Sequence, residues 1–203
     1  MNARESYLHV AALDRADLDE AAALLGRGMA DNPMHVAVYG RDEGHRARCH
    51  TRLMRTHLAR SKSLRVEVMT QAGALTAVAA SLPPGRCRPG LATRLHLVGT
   101  ATTFGLGTAS RLLAWQQSWA THDLTEPHVH LGPIAVDRHL RGRGMGGLLM
   151  LRHIGRLDSV GAVGYLETDR PEAVGFYRRY GYVVVGESAA LGVRTWFMRR
   201  PPT

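Results

Sequence analysis

Four glycines, Gly142, Gly144, Gly146 and Gly147, fall within the run Arg141-Gly142-Arg143-Gly144-Met145-Gly146-Gly147, directly ahead of an apolar helical segment, Leu148 to Leu157. Glycines at this spacing let successive backbone amides point into one concavity. Free amides at a helix start, the positive end of the helix dipole and flanking arginines suit an anion, and a pyrophosphate better than a single carboxylate. Ahead of this nest, Val129 to Val136 is mostly apolar without helical spacing, as a buried strand would be. Asp137 to Leu140 connects the two.

Two phosphate-binding motifs compete for this loop. Gly142, Gly144 and Gly147 satisfy the dinucleotide pattern G-x-G-x-x-G, and Glu167 follows where a ribose-binding acid would stand. In that fold the first glycine closes the strand; here Asp137 to Arg141 intervene, and too few residues follow Gly147 to complete a doubly wound sheet. A nucleoside-triphosphate loop needs its lysine, and the only lysine is Lys62.

Strand, connector, then Arg-x-x-Gly-x-Gly opening a helix resembles the acetyl-CoA-binding signature of the GNAT N-acetyltransferases, carried here by Arg141, Gly144 and Gly146. A second segment, Gly164-Tyr165-Leu166-Glu167-Thr168-Asp169 followed by Pro171 to Tyr182, resembles that family's fifth strand, its next helix and the closing glycine-aromatic turn. The resemblance implies a splayed mixed β-sheet flanked by helices, an α/β fold, with acetyl-CoA as cosubstrate. Its pyrophosphate would lie on the amides of Arg141, Gly142, Arg143, Gly144, Met145 and Gly146, and its pantetheine arm along Ile134, Ala135 and Val136. Tyr177 matches the tyrosine used as general acid. Glu167, closing the fifth strand, is the base expected beside it, with helix capping or an arginine ion pair as the other role open to it. Arg170-Pro171-Glu172 stands where many members carry an asparagine, so a cofactor contact made by that asparagine is not carried over.

Leu166-Glu167-Thr168, Phe176-Tyr177 and Arg194 to Met198 are most similar to the small-molecule branch that includes puromycin N-acetyltransferase. That likeness implies a primary amine of a small molecule as acceptor, of aminonucleoside-like or antibiotic-like kind, and a resistance role. The alternatives are a protein or peptide N-acetyltransferase and a non-catalytic acetyl-CoA-binding regulatory domain. Only Cys49 and Cys87 are present, neither in the two motifs, so direct attack of the amine is expected rather than relay through sulfur. Met34, Tyr39, Trp115, His130 and Trp196 are the candidates for an acceptor pocket wall. Trp115 and Trp119, one helical turn apart, fit a core pair better than a substrate wall.

Composition narrows the remaining classes. The 203 residues suit one domain, residues 1–203, able to bury roughly 70% of its unfolded surface without disulfides or metals. Two cysteines without a C-x-x-C, no secretory apolar segment and no 18-residue apolar run point to a reducing cytoplasm and no membrane partner. A formal charge of +9 could mean nucleic acid, but the arginines are dispersed without interleaved stacking aromatics, so no nucleic-acid partner is expected. Eleven histidines raise the question of a metal; His45, His50 and His57 lack zinc-type spacing, and His128 and His130 are an alternating pair on one strand face, so none is expected. Monomer and homodimer both remain open.

The other elements follow from periodicity. Tyr7 to Leu13 reads as a strand, then a helix begins after Asp14 and ends at Gly26, Gly28, Asn32 and Pro33. Met29 to Tyr39 reads as irregular, Glu43 to Arg60 as a helix, and Leu64 to Thr70 with Ala74 to Leu82 as a hairpin about Gln71-Ala72-Gly73. Cys87 to Gly90 is loop. Leu91 to Ala120 fits two helices interrupted at Gly105 and Gly107. Ala162 to Thr168 is a strand parallel to the one before the nest, Pro171 opens a helix stopped by Gly181, and Tyr182 to Gly186 and Val193 to Arg199 close a mixed sheet.

Overall fold

The computed structural model describes residues 8–87 and 90–203, so Tyr7 of the expected first strand lies outside the described residues. The elements run β1 (Leu8–Ala12), α1 (Leu18–Gly28), α2 (Pro33–Tyr39), α3 (Glu43–Arg60), β2 (Arg65–Gln71), β3 (Ala74–Leu82), α4 (Leu91–Thr102) and α5 (Leu106–Ala120). There follow β4 (His128–Val136), a 3₁₀ turn (Arg138–Leu140), α6 (Met145–Ser159), β5 (Val163–Thr168), α7 (Pro171–Arg178), β6 (Val183–Ala190) and β7 (Val193–Arg200). The seven strands form one mixed sheet in the order β1-β2-β3-β4-β5-β7-β6. Only β4 and β5 pair in parallel.

Alternation along β2 to β4 feeds two cores, because successive strand side chains face opposite sides of a sheet. On one face Val68, Val78 and Ala135 meet Ala21, Leu24 and Leu25 of α1. On the other, Met69, Ala77 and Ala79 meet Met145 and Leu149 of α6. Leu149 is fully buried there, so truncation to alanine is expected to remove about 2 to 5 kcal/mol. Further along that second face, Leu131 and Leu166 pack with Met150 of α6 and with Val174 and Tyr177 of α7. A further core joins α2, α3, α4 and α5 through Met34, Val38, Leu53, Ala101, Leu112 and Trp115.

Three local readings change. Gly26 and Gly28 do not stop α1 but lie inside it. A Cβ at Gly26 would sit 2.0 Å from Thr51 Oγ1 of α3, and one at Gly28 would sit 3.0 Å from Ala135 Cβ of β4, so both serve close approach. α1 does not begin directly after Asp14 but at Leu18; the Asp14 carboxylate accepts from Ala16 N (3.0 Å) in the turn before Asp17, the N-cap residue. The stretch Met29 to Tyr39 is not wholly irregular, since Pro33 is the first residue of α2 instead of a stop. Proline fits there because the first helical amide needs no partner.

The turn of the β2-β3 hairpin takes the left-handed backbone at Ala72 (φ 52°) and Gly73 (φ 81°), as a tight two-residue turn requires. The helix expected from Leu148 begins earlier, at Met145, with Gly144 as a left-handed N-cap (φ 83°).

Candidate active site

The sheet opens at β4. His128, Val129 and His130 pair with Val163, Gly164 and Tyr165, and the pairing stops there. Beyond it β4 continues along β3 as far as Ala77↔Val136, while β5 continues along β7 as far as Thr168↔Trp196. Gly132-Pro133 lies at the parting, opposite a register shift between Ala79 and Ser81. Proline has no amide to donate to a ladder. Ile134, Ala135 and Val136 therefore have β3 on one side and an opening on the other, as expected of a splayed sheet.

The glycine loop stands at the end of this opening. Arg141 N donates to Arg138 O (3.3 Å), and the next amide with a backbone acceptor among the described residues is Leu148 N, which donates to Gly144 O (3.0 Å). No side chain among the described residues caps α6. The amides from Gly142 to Gly147 thus gather at the positive end of α6, the arrangement of an anion-binding nest. Gly142 (φ 78°) and Gly144 (φ 83°) need the left-handed backbone. Gly146 lies against β4, where an added Cβ would be 3.6 Å from Val136 Cγ2, and Gly147 leaves room for Tyr180, whose hydroxyl would be 2.7 Å from a Cβ. Met145 differs from its neighbours, since its side chain is buried in the core beneath β2 and β3.

The two arginines of the loop diverge. Arg141 turns away from the nest to Asp31, donating from Nη1 (2.7 Å) and Nη2 (3.1 Å), and to Gly28 O. Asp31 also holds Arg170 (3.2 Å), the N-cap residue of α7. Burial opposes ionisation of Asp31, but Arg141 and Arg170 outweigh it and bring its pKa down to about 2. One carboxylate on the α1–α2 connection thereby ties the loop to the start of α7. Arg143 is exposed and makes no side-chain hydrogen bond or ion pair among the described residues.

Glu167 and Tyr177 flank the opening from opposite faces. Leu166 packs on α6 and α7 with Tyr177, so alternation turns Glu167 to the other face of β5. There its Oε2 lies 2.7 Å from Nε2 of His130. Of the roles open to Glu167, helix capping and an arginine pair are not what the fold shows; the partner is a histidine. Burial lowers the pKa of His130, but Glu167 and Cys87 override it and raise it to about 10. Tyr177 is the penultimate residue of α7 and is buried. Burial, then the negative charge of Asp169, raises its pKa.

Asp169 was not singled out in the sequence. It is buried, and its Oδ2 accepts from Met34 N (2.6 Å) in the first turn of α2. The end of β5 therefore docks α2 beside the site. Of the residues expected to wall an acceptor pocket, Met34, Tyr39 and Trp115 are core residues instead. Tyr39 hydroxyl and His35 Nε2 both contact His50, at 3.5 and 3.3 Å, in a buried polar cluster. Trp115 meets Trp119 edge-on with ring centroids 4.9 Å apart, the core pair expected. His130 is at the site, and Trp196 lies on β7 under Arg194. Cys87, distant from both motifs in sequence, comes to 3.1 Å from His128 Nε2, which places a thiol beside the opening after all.

Residues 109–184 match the family model described as the acetyltransferase (GNAT) domain. Over this stretch, which runs from α5 into β6, the chain is similar to a GNAT acetyltransferase domain. Its fold is shared over 97% of both chains with a crystal structure from Corynebacterium glutamicum described as histone acetyltransferase HPA2 and related acetyltransferase, at 20% identity and a TM-score of 0.74. A mutant agmatine N-acetyltransferase in its apo form superposes over 96% of this chain and 99% of its own, at 15% identity and a TM-score of 0.63. A GNAT family acetyltransferase from Brucella melitensis in complex with acetyl-CoA covers 97% of this chain and 88% of its own, at 16% identity and a TM-score of 0.54. No helix among the described residues is long and apolar enough to cross a membrane.

Proposed function

We propose that the protein transfers an acetyl group from acetyl-CoA to the primary amine of a small molecule by direct attack. The observation that carries this reading is the parting of β4 and β5 between a loop of free amides and two proton-handling side chains. The amides of residues 141–146 receive the pyrophosphate, Arg143 adds a positive charge that has no ion pair among the described residues, and Arg141 acts through its amide and its hold on Asp31. The pantetheine arm, carrying two amides, runs along Ile134 to Val136 as an added strand would.

Held in line, the two reactants need little else, since positioning supplies as much as about 7 to 11 kcal/mol. Glu167 accepts the ammonium proton of the acceptor, directly or through a water, while His130 fixes one of its oxygens. Tyr177 keeps its phenolic proton until the departing sulfur gains charge, then donates it. Together these are expected to add about 10² to 10⁴ each at most.

The acceptor is a compact amine. α4 and α5, inserted between β3 and β4, pack on α2 and α3, and a helix pair at this place in the chain supports a covered acceptor side. The likeness of Leu166 to Thr168 and Arg194 to Met198 to the small-molecule branch supports the same acceptor, and with it a role in resistance or detoxification. Thiol release from acetyl-CoA, followed with aminonucleosides, arylalkylamines and polyamines against histone-like and ribosomal-type peptides, tests the reading. Saturation with a compact amine is expected; efficient acetylation of peptides alone would assign a protein acceptor.

A further inference from the structure

On the face of the sheet that holds Glu167, four side chains from three separate parts of the chain converge. Cys87 comes from the loop after β3, Asp123 from the connection between α5 and β4, and His128 and His130 from β4. One ligand atom of each lies within 4.8 Å of all the others. Cys87 Sγ is 3.1 Å from His128 Nε2, which is 3.0 Å from Asp123 Oδ1.

We propose that Cys87, Asp123, His128 and His130 form a four-coordinate site for a divalent transition metal of the zinc type. The donor set is one sulfur, two imidazole nitrogens and one carboxylate oxygen, the ligands that zinc takes in tetrahedral protein sites. Bonds of about 2.0 to 2.3 Å place tetrahedral ligand atoms roughly 3.3 to 3.7 Å apart, a range that the observed separations, from 3.0 Å to within 4.8 Å, bracket.

The outer hydrogen bonds of both histidines are already those of metal ligands. His128 Nδ1 donates to Glu126 O (2.8 Å), which leaves Nε2 to face the cluster. His130 Nε2 donates to Glu167 Oε2 (2.7 Å), which leaves Nδ1 to face it. Carboxylate or carbonyl acceptors behind ligating histidines fix the tautomer in this way.

Among the described residues His130 Nδ1 and Asp123 Oδ1 are buried without a hydrogen-bond partner, although Asp123 Oδ1 lies 3.0 Å from His128 Nε2. Buried polar atoms are nearly always satisfied, and two such atoms facing a thiol and an imidazole point to a cation between them. A cysteine nucleophile would use one imidazole and leave the other histidine and Asp123 without a role. A bound metal would fix the loop after β3 and the α5–β4 connection onto β4, and would hold Glu167 through His130. The site does not rest on the acetyl-transfer reading.

The test uses the untagged full-length protein, stripped with a chelator and titrated with Zn²⁺ in competition with a chromophoric indicator, and separately loaded with Co²⁺. One zinc per chain and a cobalt spectrum with tetrahedral ligand-field bands and a thiolate-to-metal charge-transfer band are expected. Cys87→Ser should abolish the charge-transfer band, and Glu167→Gln, behind His130, should weaken zinc binding by about 10 to 100-fold. The wild-type protein settles the matter even if a variant fails to fold. Absence of stoichiometric zinc binding, a six-coordinate cobalt spectrum, or a charge-transfer band that survives Cys87→Ser would overturn the site.

Discussion

Glu167 Oε2 and His130 Nε2 are 2.7 Å apart across the point where β4 and β5 part. The parallel register pairs His130 with Tyr165, so Glu167, two residues further along the same face, reaches back to the last paired position of β4. One carboxylate oxygen is thereby oriented, and in the proposed mechanism the other takes the acceptor's proton. Glu167→Gln is expected to lower kcat/KM by about 10² to 10⁴ near neutral pH. Because a glutamine cannot take up the ammonium proton, the loss should shrink as the pH rises toward the amine's own pKa. A pH–rate profile of the variant that runs parallel to wild type would show that Glu167 only supports structure.

Gly146 is the position at which the anion nest is best challenged. Its added Cβ would meet only ordinary contacts at 3.6 and 3.7 Å, so a side chain is tolerated sterically, and an acidic residue suits the first turn of α6. Gly146→Asp should fold normally yet raise the Kd for acetyl-CoA by about tenfold or more, by setting a carboxylate against the phosphates. Calorimetric titration with CoA decides it, and an unchanged Kd would remove the nest from cofactor binding. Gly147→Ala should instead destabilise the protein, because its methyl would collide with the Tyr180 hydroxyl.

Asp31 joins Arg141 to Arg170. Asp31→Asn is expected to lower Tm by a few degrees and to raise KM for acetyl-CoA while leaving kcat nearly unchanged, since it loosens the loop without touching the reacting atoms. A fall in kcat at constant KM would contradict that assignment.

Three buried histidines, His35, His50 and His153, and the half-buried His57 make the fold acid-sensitive. Burial lowers the pKa of His35 to about 3, His57 to about 4 and His153 to about 3, and pushes His50 well below its ordinary value. Each is neutral when folded and takes up a proton in the unfolded chain below about 6.5, so unfolding gains protons as the pH falls. These four therefore contribute a decline in stability from about pH 6.5 down to their folded pKa values, by as much as about 1.4 kcal/mol per pH unit for each histidine fully within its window, whereas His130, raised to about 10, contributes in the opposite sense as the pH rises above 6.5. Urea denaturation at pH 7.5 and 5 measures the difference; equal stabilities would mean that these imidazoles are not held neutral.

Direct attack leaves no acetyl group on the enzyme. Mass spectrometry of the protein incubated with acetyl-CoA and no acceptor should show an unmodified Cys87, despite its thiol being brought to about 7 against the penalty of burial by His128 and His130. Stoichiometric, kinetically competent acetylation of Cys87 would replace direct attack with relay through sulfur.

Where periodicity and turn chemistry acted locally, the chain was readable. The bounds of α3, the β2-β3 hairpin and the break between α4 and α5 at Gly105 all follow from helical spacing or left-handed glycine positions. The glycine nest was legible for the same reason, whereas the splayed sheet was expected only from the resemblance. Contacts between distant segments were not. Nothing in the spacing of Asp31, Cys87, Asp123 or Asp169 marks them, because each acquires its partner only when the sheet brings β3, β4 and β5 side by side. Gly26, Gly28 and Pro33 misled for the converse reason: a helix breaker by propensity is tolerated where packing or an N-terminal position needs it.

The central claim is acetyl transfer at the parting of β4 and β5, with Tyr177 as the acid, and steady-state thiol release from acetyl-CoA by wild type and Tyr177→Phe tests it most directly. With a compact primary amine, the wild type should release free thiol in saturable fashion, and the variant should lose about 10² to 10⁴ in kcat while binding acetyl-CoA as tightly as before. A wild-type protein that binds acetyl-CoA but releases no thiol with any amine, or a Tyr177→Phe variant of full activity, would contradict the account.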